Sequence, residues 1–134
     1  MVLAIAGGSG FLGRLLAARL RSDGDRVVTL TRKTGLPDSS TWRPDGTAGT
    51  LASALDGVDA VVNLAGENLA GGRWTAARKE VLVSSRILPT RTLVAAINAG
   101  AHPPGVLISG SAVGYYGACG DEPVTEATPA GTDF

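Results

Sequence analysis

Apolar and polar positions fall in short, regular blocks along this chain. Val2 to Ala6 is an unbroken apolar run, the pattern of a strand covered on both faces. Leu12, Leu16 and Leu20 then recur every four residues, with Leu15 beside them, which predicts a helix with one apolar stripe. Arg19 and Arg21 suit the C-terminal end of that helix's dipole, and Gly24 stops it. "RVVTLTR" (26–32) predicts a second strand, and "DAVVNLAG" (59–66) a third clear one running into glycine. Residues 33–49, rich in Pro, Asp, Ser, Thr and Gly, predict a loop with a short strand around Thr41 to Arg43; residues 50–57 predict a short helix. Thr75 is placed to cap a long helix that reaches Asn98 and is closed by Gly100. Pro89 lies inside it and is expected to kink it or to remove a hydrogen bond. "GVLISGS" (105–111) predicts another buried strand, and the tail from Gly114 is loop.

Short apolar strands alternating with helices imply an α/β protein: a parallel sheet with right-handed crossovers. Glycines directly after the first strand point to a doubly wound, Rossmann-like sheet of about five strands in the order 3-2-1-4-5. The chain has 134 residues, enough for one domain with its own core. Twelve basic and 12 acidic residues cancel, and no basic face or block argues for nucleic acid or an anionic membrane. No apolar stretch approaches the roughly 18 residues of a membrane span, and the start lacks the basic n-region of a signal peptide. Cys119 has no second cysteine to pair with, which fits a reducing cytoplasm. His102, in "AHPPG", has no carboxylate or cysteine cluster in the sequence around it; it reads as structural, and no metal site is expected.

The glycine loop has two registers. One is Gly8-x-Gly10-x-x-Gly13, the other Gly7-x-x-Gly10-x-x-Gly13. In either, the first glycine permits a tight turn, the middle one lets backbone approach a pyrophosphate, and the last lets helix pack on sheet. The helix N-terminus offers free N–H groups and a positive dipole end to phosphate. A strand before the loop and a helix after it is the context such a motif requires. The alternative is a turn that only eases packing. Where an NAD site places an acidic residue on the ribose 2′-hydroxyl, the second strand here ends in Thr31, Arg32 and Lys33. No carboxylate stands there to repel a 2′-phosphate, and Arg32 is suited to hold one, so NADP(H) is expected in preference to NAD(H). Alternatively, Arg32 and Lys33 are simply solvated at a strand end.

"GGSGFLG", "VVNLAGENLAGGRW", "SSRILPTRTLV", "ISGSAVGYYG" and "TPAGTDF" occur in the order seen in atypical extended short-chain dehydrogenase/reductases. The chain most resembles the NAD-dependent epimerase/dehydratase-like family sometimes labelled as cell-division inhibitors. Members are about twice as long, so the resemblance is to an N-terminal portion: residues 1–134 as an incomplete NADP(H)-binding domain, without the C-terminal strands and the substrate domain. It implies that Gly7, Gly10, Phe11, Leu12 and Gly13 wrap the pyrophosphate. It implies that Leu64, Ala65 and Gly66 lie along the cofactor. Arg86 falls where many extended relatives have a cofactor-contacting asparagine. Ser109 to Ser111 would end the strand beside the nicotinamide, with Ser111 matching the serine that hydrogen-bonds the reacting oxygen. Each has a plainer reading, as packing, solvated or turn residues.

The family's Tyr-x-x-x-Lys pair is absent. The chain has two lysines, Lys33 and Lys79, and neither follows a tyrosine by four residues. The family's tyrosine falls near Phe134, which has no hydroxyl to move a proton. Tyr116, in "GYYG", is the substitute proton donor or an aromatic plug under a glycine-rich turn. Glu67 is an acid or base near the nicotinamide or a cap for the next loop. The expectation is an oxidoreductase or epimerase-like domain moving hydride at a carbonyl or alcohol carbon of an unidentified small molecule. The alternative is a non-catalytic NADPH-binding sensor or interaction module. The apolar strand at 105–110 ends the expected sheet, and a dimer or larger assembly is expected, burying this edge or a helix face bared by the missing half.

Overall fold

A computed structural model of the chain describes residues 1–132, and all structural statements below concern these. The expected tyrosine position, Phe134, lies outside the described residues. Five strands form one parallel sheet: β1 (Val2–Ala6), β2 (Arg26–Thr31), β3 (Ser39–Thr41), β4 (Ala60–Asn63) and β5 (Val106–Ser109). Their order is β3-β2-β1-β4-β5, the doubly wound arrangement expected from the sequence. The helices are α1 (Phe11–Ser22), α2 (Leu51–Ala54) and α3 (Ala76–Ala99), and a 3₁₀ turn spans Val113–Tyr116.

β1 is central, paired to β2 on one side and β4 on the other, which explains its continuous apolar run. Its alternate residues feed two cores. Ile5 packs with Val27 and Val62 under Ala17 of α1. Ala4 and Ala6 face the opposite way, toward Leu51 of α2, Leu55, and Leu93 and Ala96 of α3. The sheet therefore carries α1 on one face and α2 with α3 on the other.

Element boundaries moved where local hydrogen bonding won over pattern. β3 lies at Ser39–Thr41, two residues before the expected Thr41–Arg43. Pairing with Thr29 to Thr31 sets its register, and Trp42 turns inward to become core. The short helix holds only Leu51–Ala54. β4 ends at Asn63 rather than Gly66, because the Asn63 side chain accepts the Ala65 N–H and bends the chain out of the ladder. α3 begins as expected, with Thr75 Oγ1 accepting the Arg78 N–H at 3.2 Å, and Gly100 is its C-cap. It continues as one α-helix through Pro89, which removes only the N–H that would serve the Ser85 carbonyl. The "GYYG" loop contains the 3₁₀ turn.

β5 corrects one expectation. It is not buried: Val106 and Ile108 are 51% and 55% exposed. The register pairs them with Ala60 and Val62, so they lie on the α1 face. α1 covers Ile5, Val27 and Val62 but does not reach this edge strand. His102 packs in its loop against Asp56, 3.0 Å from Nδ1 to Oδ1, and the Cys119 thiol points at the Tyr116 carbonyl. Among the described residues no helix is long and apolar enough to cross a membrane.

Leu93 of α3 is fully buried in the larger core. Leu93→Ala is expected to destabilise the fold by roughly 2–5 kcal/mol, read as a lowered urea midpoint. An unchanged midpoint would show that α3 is not docked on the sheet as described.

Candidate functional site

β1 and β4 leave the sheet at the same carboxyl edge and diverge. The chain after β1 turns toward α1; the chain after β4 turns toward α3. Between them opens a cleft of ≈ 520 Å³, within the about 300–1,000 Å³ usual for ligand clefts. This is the switch point at which open parallel sheets bind ligands.

The floor is the glycine loop. Gly7 has a left-handed φ of +78°, and a Cβ there would stand 2.5 Å from the Leu64 carbonyl oxygen. Of the two registers, the one from Gly7 makes the turn: the Gly10 N–H donates to Gly7 O at 2.9 Å. A Cβ at Gly13 would run into that same carbonyl, so Gly13 lets α1 start against the loop. Gly10 differs. Its backbone is extended, and a Cβ there would meet only Gly7 O, at 3.2 Å. Gly10 thus keeps the cleft floor low rather than holding the turn. Above it, the N–H groups of Phe11, Leu12 and Gly13 begin α1 with no helical carbonyl within reach. No acidic residue occupies that first turn. Free donors, a positive dipole end and a floor without side chains fit a pyrophosphate.

One wall is the end of β2: Thr31, Arg32 and Lys33, with Leu36 and Trp42. Neither the Arg32 guanidinium nor the Lys33 ammonium has an ion-pair partner among the described residues. The opposite wall is Leu64, Ala65, Gly66 and Glu67, backed by Ser84, Ser85 and Pro89 of α3. That wall is bolted in place. Buried Asn63 donates from Nδ2 to Thr90 Oγ1 (3.0 Å) and Ser109 Oγ (3.2 Å), joining β4 to α3 and β5. The Glu67 N–H donates to Ser85 Oγ, and Arg86 donates to the Glu67 carbonyl at 3.2 Å. Arg78 donates twice to Glu67 Oε1 at 3.3 Å and also to the Asn68 carbonyl.

The cleft lining therefore gathers Gly7, Gly10, Arg32, Lys33, Leu64, Ala65, Gly66 and Glu67 from the expected set. Phe11, Leu12 and Gly13 adjoin it at the helix start. Arg86 holds the wall from behind rather than lining the cleft. Ser109 is occupied by Asn63. Ser111 and Tyr116 lie past β5, outside the lining. The Ser111 side chain is exposed, and the Tyr116 ring stacks edge-on against Tyr115 at 5.2 Å. Glu67 serves as an ion-pair anchor for its own loop. Asn63 and Arg78 escaped the sequence reading. The one polar residue inside "AVVNLAG" was the available signal for Asn63; Arg78 gave none, since its partners are 10 and 11 residues away.

Comparison with known proteins matches residues 3–133 to the NAD dependent epimerase/dehydratase family. The epimerase family protein Mb2239 of Mycobacterium bovis is 44% identical over 99% of this chain. The crystal structure of human epimerase family protein SDR39U1 (isoform 2) with NADPH superposes over 99% of this chain and 44% of its own, with TM-score 0.86 and 32% identity. A nucleoside-diphosphate sugar epimerase from Corynebacterium glutamicum superposes over all of this chain and 27% of its own, with TM-score 0.81 and 37% identity. The chain spans 44% of the length of the Mycobacterium relative.

The two glycines should separate in experiment. Gly13→Ala forces a Cβ into the Gly7 carbonyl, and is expected to lower the thermal midpoint by several degrees. Gly10→Ala, on an extended backbone, is expected to shift it by no more than about 2 °C. Equal losses in calorimetry would mean both glycines hold the turn.

Proposed function

The chain belongs to the NAD dependent epimerase/dehydratase family, and from that premise we propose that residues 1–134 are the NADP(H)-binding domain of a reductase or epimerase-like protein. The observation that carries this is the pairing of a side-chain-free cradle at the start of α1 with two unpaired cations at the end of β2. The NADPH in the human relative supports the same preference. NAD(H) is the weaker alternative. A cytoplasmic setting goes with the single cysteine.

When bound, the nicotinamide supplies hydride exchange with a carbonyl or alcohol carbon. The protein's own residues bind and orient. Gly7 and Gly10 leave room for the pyrophosphate, and the N–H groups of Phe11, Leu12 and Gly13 donate to it. Arg32 and Lys33 neutralise the 2′-phosphate. Leu64, Ala65 and Gly66 form an apolar wall, held by Ser85 and Arg86 through Glu67. Ser109 ends β5, and Ser111, two residues beyond it, would serve the nicotinamide end of the site. Ser111 is free to hydrogen-bond a substrate oxygen, and Tyr116, five residues further on, carries a phenolic proton.

One observation favours a second reading, binding without turnover. No tyrosine in the chain is followed four residues later by lysine, so no ammonium at that spacing is available to activate a phenol.

Two outcomes test these readings. NADPH is expected to bind more tightly than NADH in calorimetric titration, and Arg32→Asp to erase or invert the preference; equal affinity in the unmodified protein would sink the cofactor assignment. With a panel of carbonyl compounds, NADPH consumption by this chain is expected to stay at the buffer rate, since loss of general acid alone typically costs about 10²–10⁴-fold. Robust turnover that vanishes in Tyr116→Phe would instead establish Tyr116 as the proton donor.

A further inference from the structure

A second cleft, ≈ 380 Å³, opens between α1 and the carboxyl end of β2. Its lining includes Arg14, Thr29 and Ser39. It shares Ser9, Thr31 and Leu36 with the larger cleft. The two clefts thus meet around one pair of hydroxyls. Arg32 and Lys33 line the larger cleft, and Arg14 lines the smaller.

Arg14 sits in the first turns of α1, where side chains lean back toward the helix start and hence toward Ser9. Its neighbours on the helix are committed. Arg19 is paired with Asp23 at 2.9 Å, and Arg21 donates to the Val27 carbonyl. The Arg14 guanidinium has no ion pair or hydrogen bond among the described residues, and neither do the Arg32 guanidinium and the Lys33 ammonium. The smaller cleft has no carboxylate in its lining. The larger has one, Glu67, already held by Arg78. Three cations without a partner thus line the two clefts that share Ser9 and Thr31, and no free carboxylate lines either one. The Thr31 Oγ1 accepts the Lys33 N–H at 3.1 Å, which leaves its hydroxyl proton to donate; Ser9 is equally free to donate.

We infer that Arg14 is a third determinant of 2′-phosphate recognition, gripping the phosphate from the α1 side opposite Arg32 and Lys33, with the Ser9 and Thr31 hydroxyls completing the donor set. The inference rests on the NADP(H) reading above. A dianionic phosphate has acceptor capacity for all of these donors, and a guanidinium can offer two parallel N–H groups to it. The ribose hydroxyl of NADH offers no charge to a third cation, so Arg14 acts on preference alone.

The test is calorimetric titration of the full chain with NADPH, NADH, adenosine 2′,5′-bisphosphate and adenosine 5′-monophosphate. Arg14→Gln is expected to weaken NADPH and the bisphosphate about tenfold while leaving NADH and the monophosphate unchanged. Arg14→Lys should restore part of the loss. Arg19→Gln, which removes the same charge from the same helix, should leave all four affinities in place, which separates a contact from a general field effect. If Arg14→Gln leaves NADPH binding intact while Arg32→Asp destroys the preference, the inference is overturned and the cofactor reading stands. Parallel loss for NADPH and NADH would also overturn it, by making Arg14 a prop for the helix start. If the unmodified protein binds both cofactors equally, or neither, the cofactor reading falls and takes the inference with it.

Discussion

The carbonyl of Gly7 is the most crowded point of the structure, and the site depends on it. It accepts the Gly10 N–H, it lies under the start of α1 at Gly13, and its own residue rests against the Leu64 carbonyl. Three stretches of backbone thus converge where β1 ends. No side chain fits among them. Because they touch as backbone, the strands can part at once, and the cleft begins at the sheet edge rather than above a layer of side chains. The positive φ at Gly7 is what lets the turn close within that space.

The opposite wall is organised by polar groups, which makes it more specific and more costly to form. A buried amide such as Asn63 is tolerated only when satisfied. Here its two ends reach β5, α3 and the Ala65 N–H. α3 then supplies Arg78, Ser85 and Arg86, on one face two turns apart, each bound to the chain between Glu67 and Asn68. Long helix and short wall are registered together. Pro89 fits this arrangement: it lies on the cleft side of α3, past the residues that make these bonds.

Much of the fold was legible because it rests on local pattern. The apolar runs, the glycine spacing and the Thr75 cap all act within a few residues, and the strand order follows from alternating strands and helices. The misses have physical reasons. β3 is three residues long and takes its register from β2, so its own sequence could not place it. β5 has the composition of a buried strand but stands at an edge beyond the reach of α1. The glycine loop and the cations at 32 and 33, which line the larger cleft, were readable because each group is contiguous in sequence at the end of a strand. Asn63 and Arg78 were not, because their partners are brought near only by the fold.

The order of strands also divides the work along the cleft. β2 and β5 are separated by β1 and β4, three intervals of about 4.8 Å, or roughly 14 Å. Among the residues lining the two clefts, Arg14, Arg32 and Lys33, whose charged groups have no partner among the described residues, stand at the β2 end with Ser9 and Thr31. The β4–β5 end carries neutral hydroxyls, an apolar wall and a carboxylate already neutralised by Arg78. Exposed charges that far apart are largely screened from each other at physiological salt. A ligand long enough to touch both ends is therefore chosen by charge at one and oriented by shape and hydrogen bonds at the other. On the cofactor reading proposed above, charge changes at β2 should alter which ligand is held, and changes near Asn63 and Ser109 how it is presented. The two properties can vary independently because the sheet itself sets the distance between them.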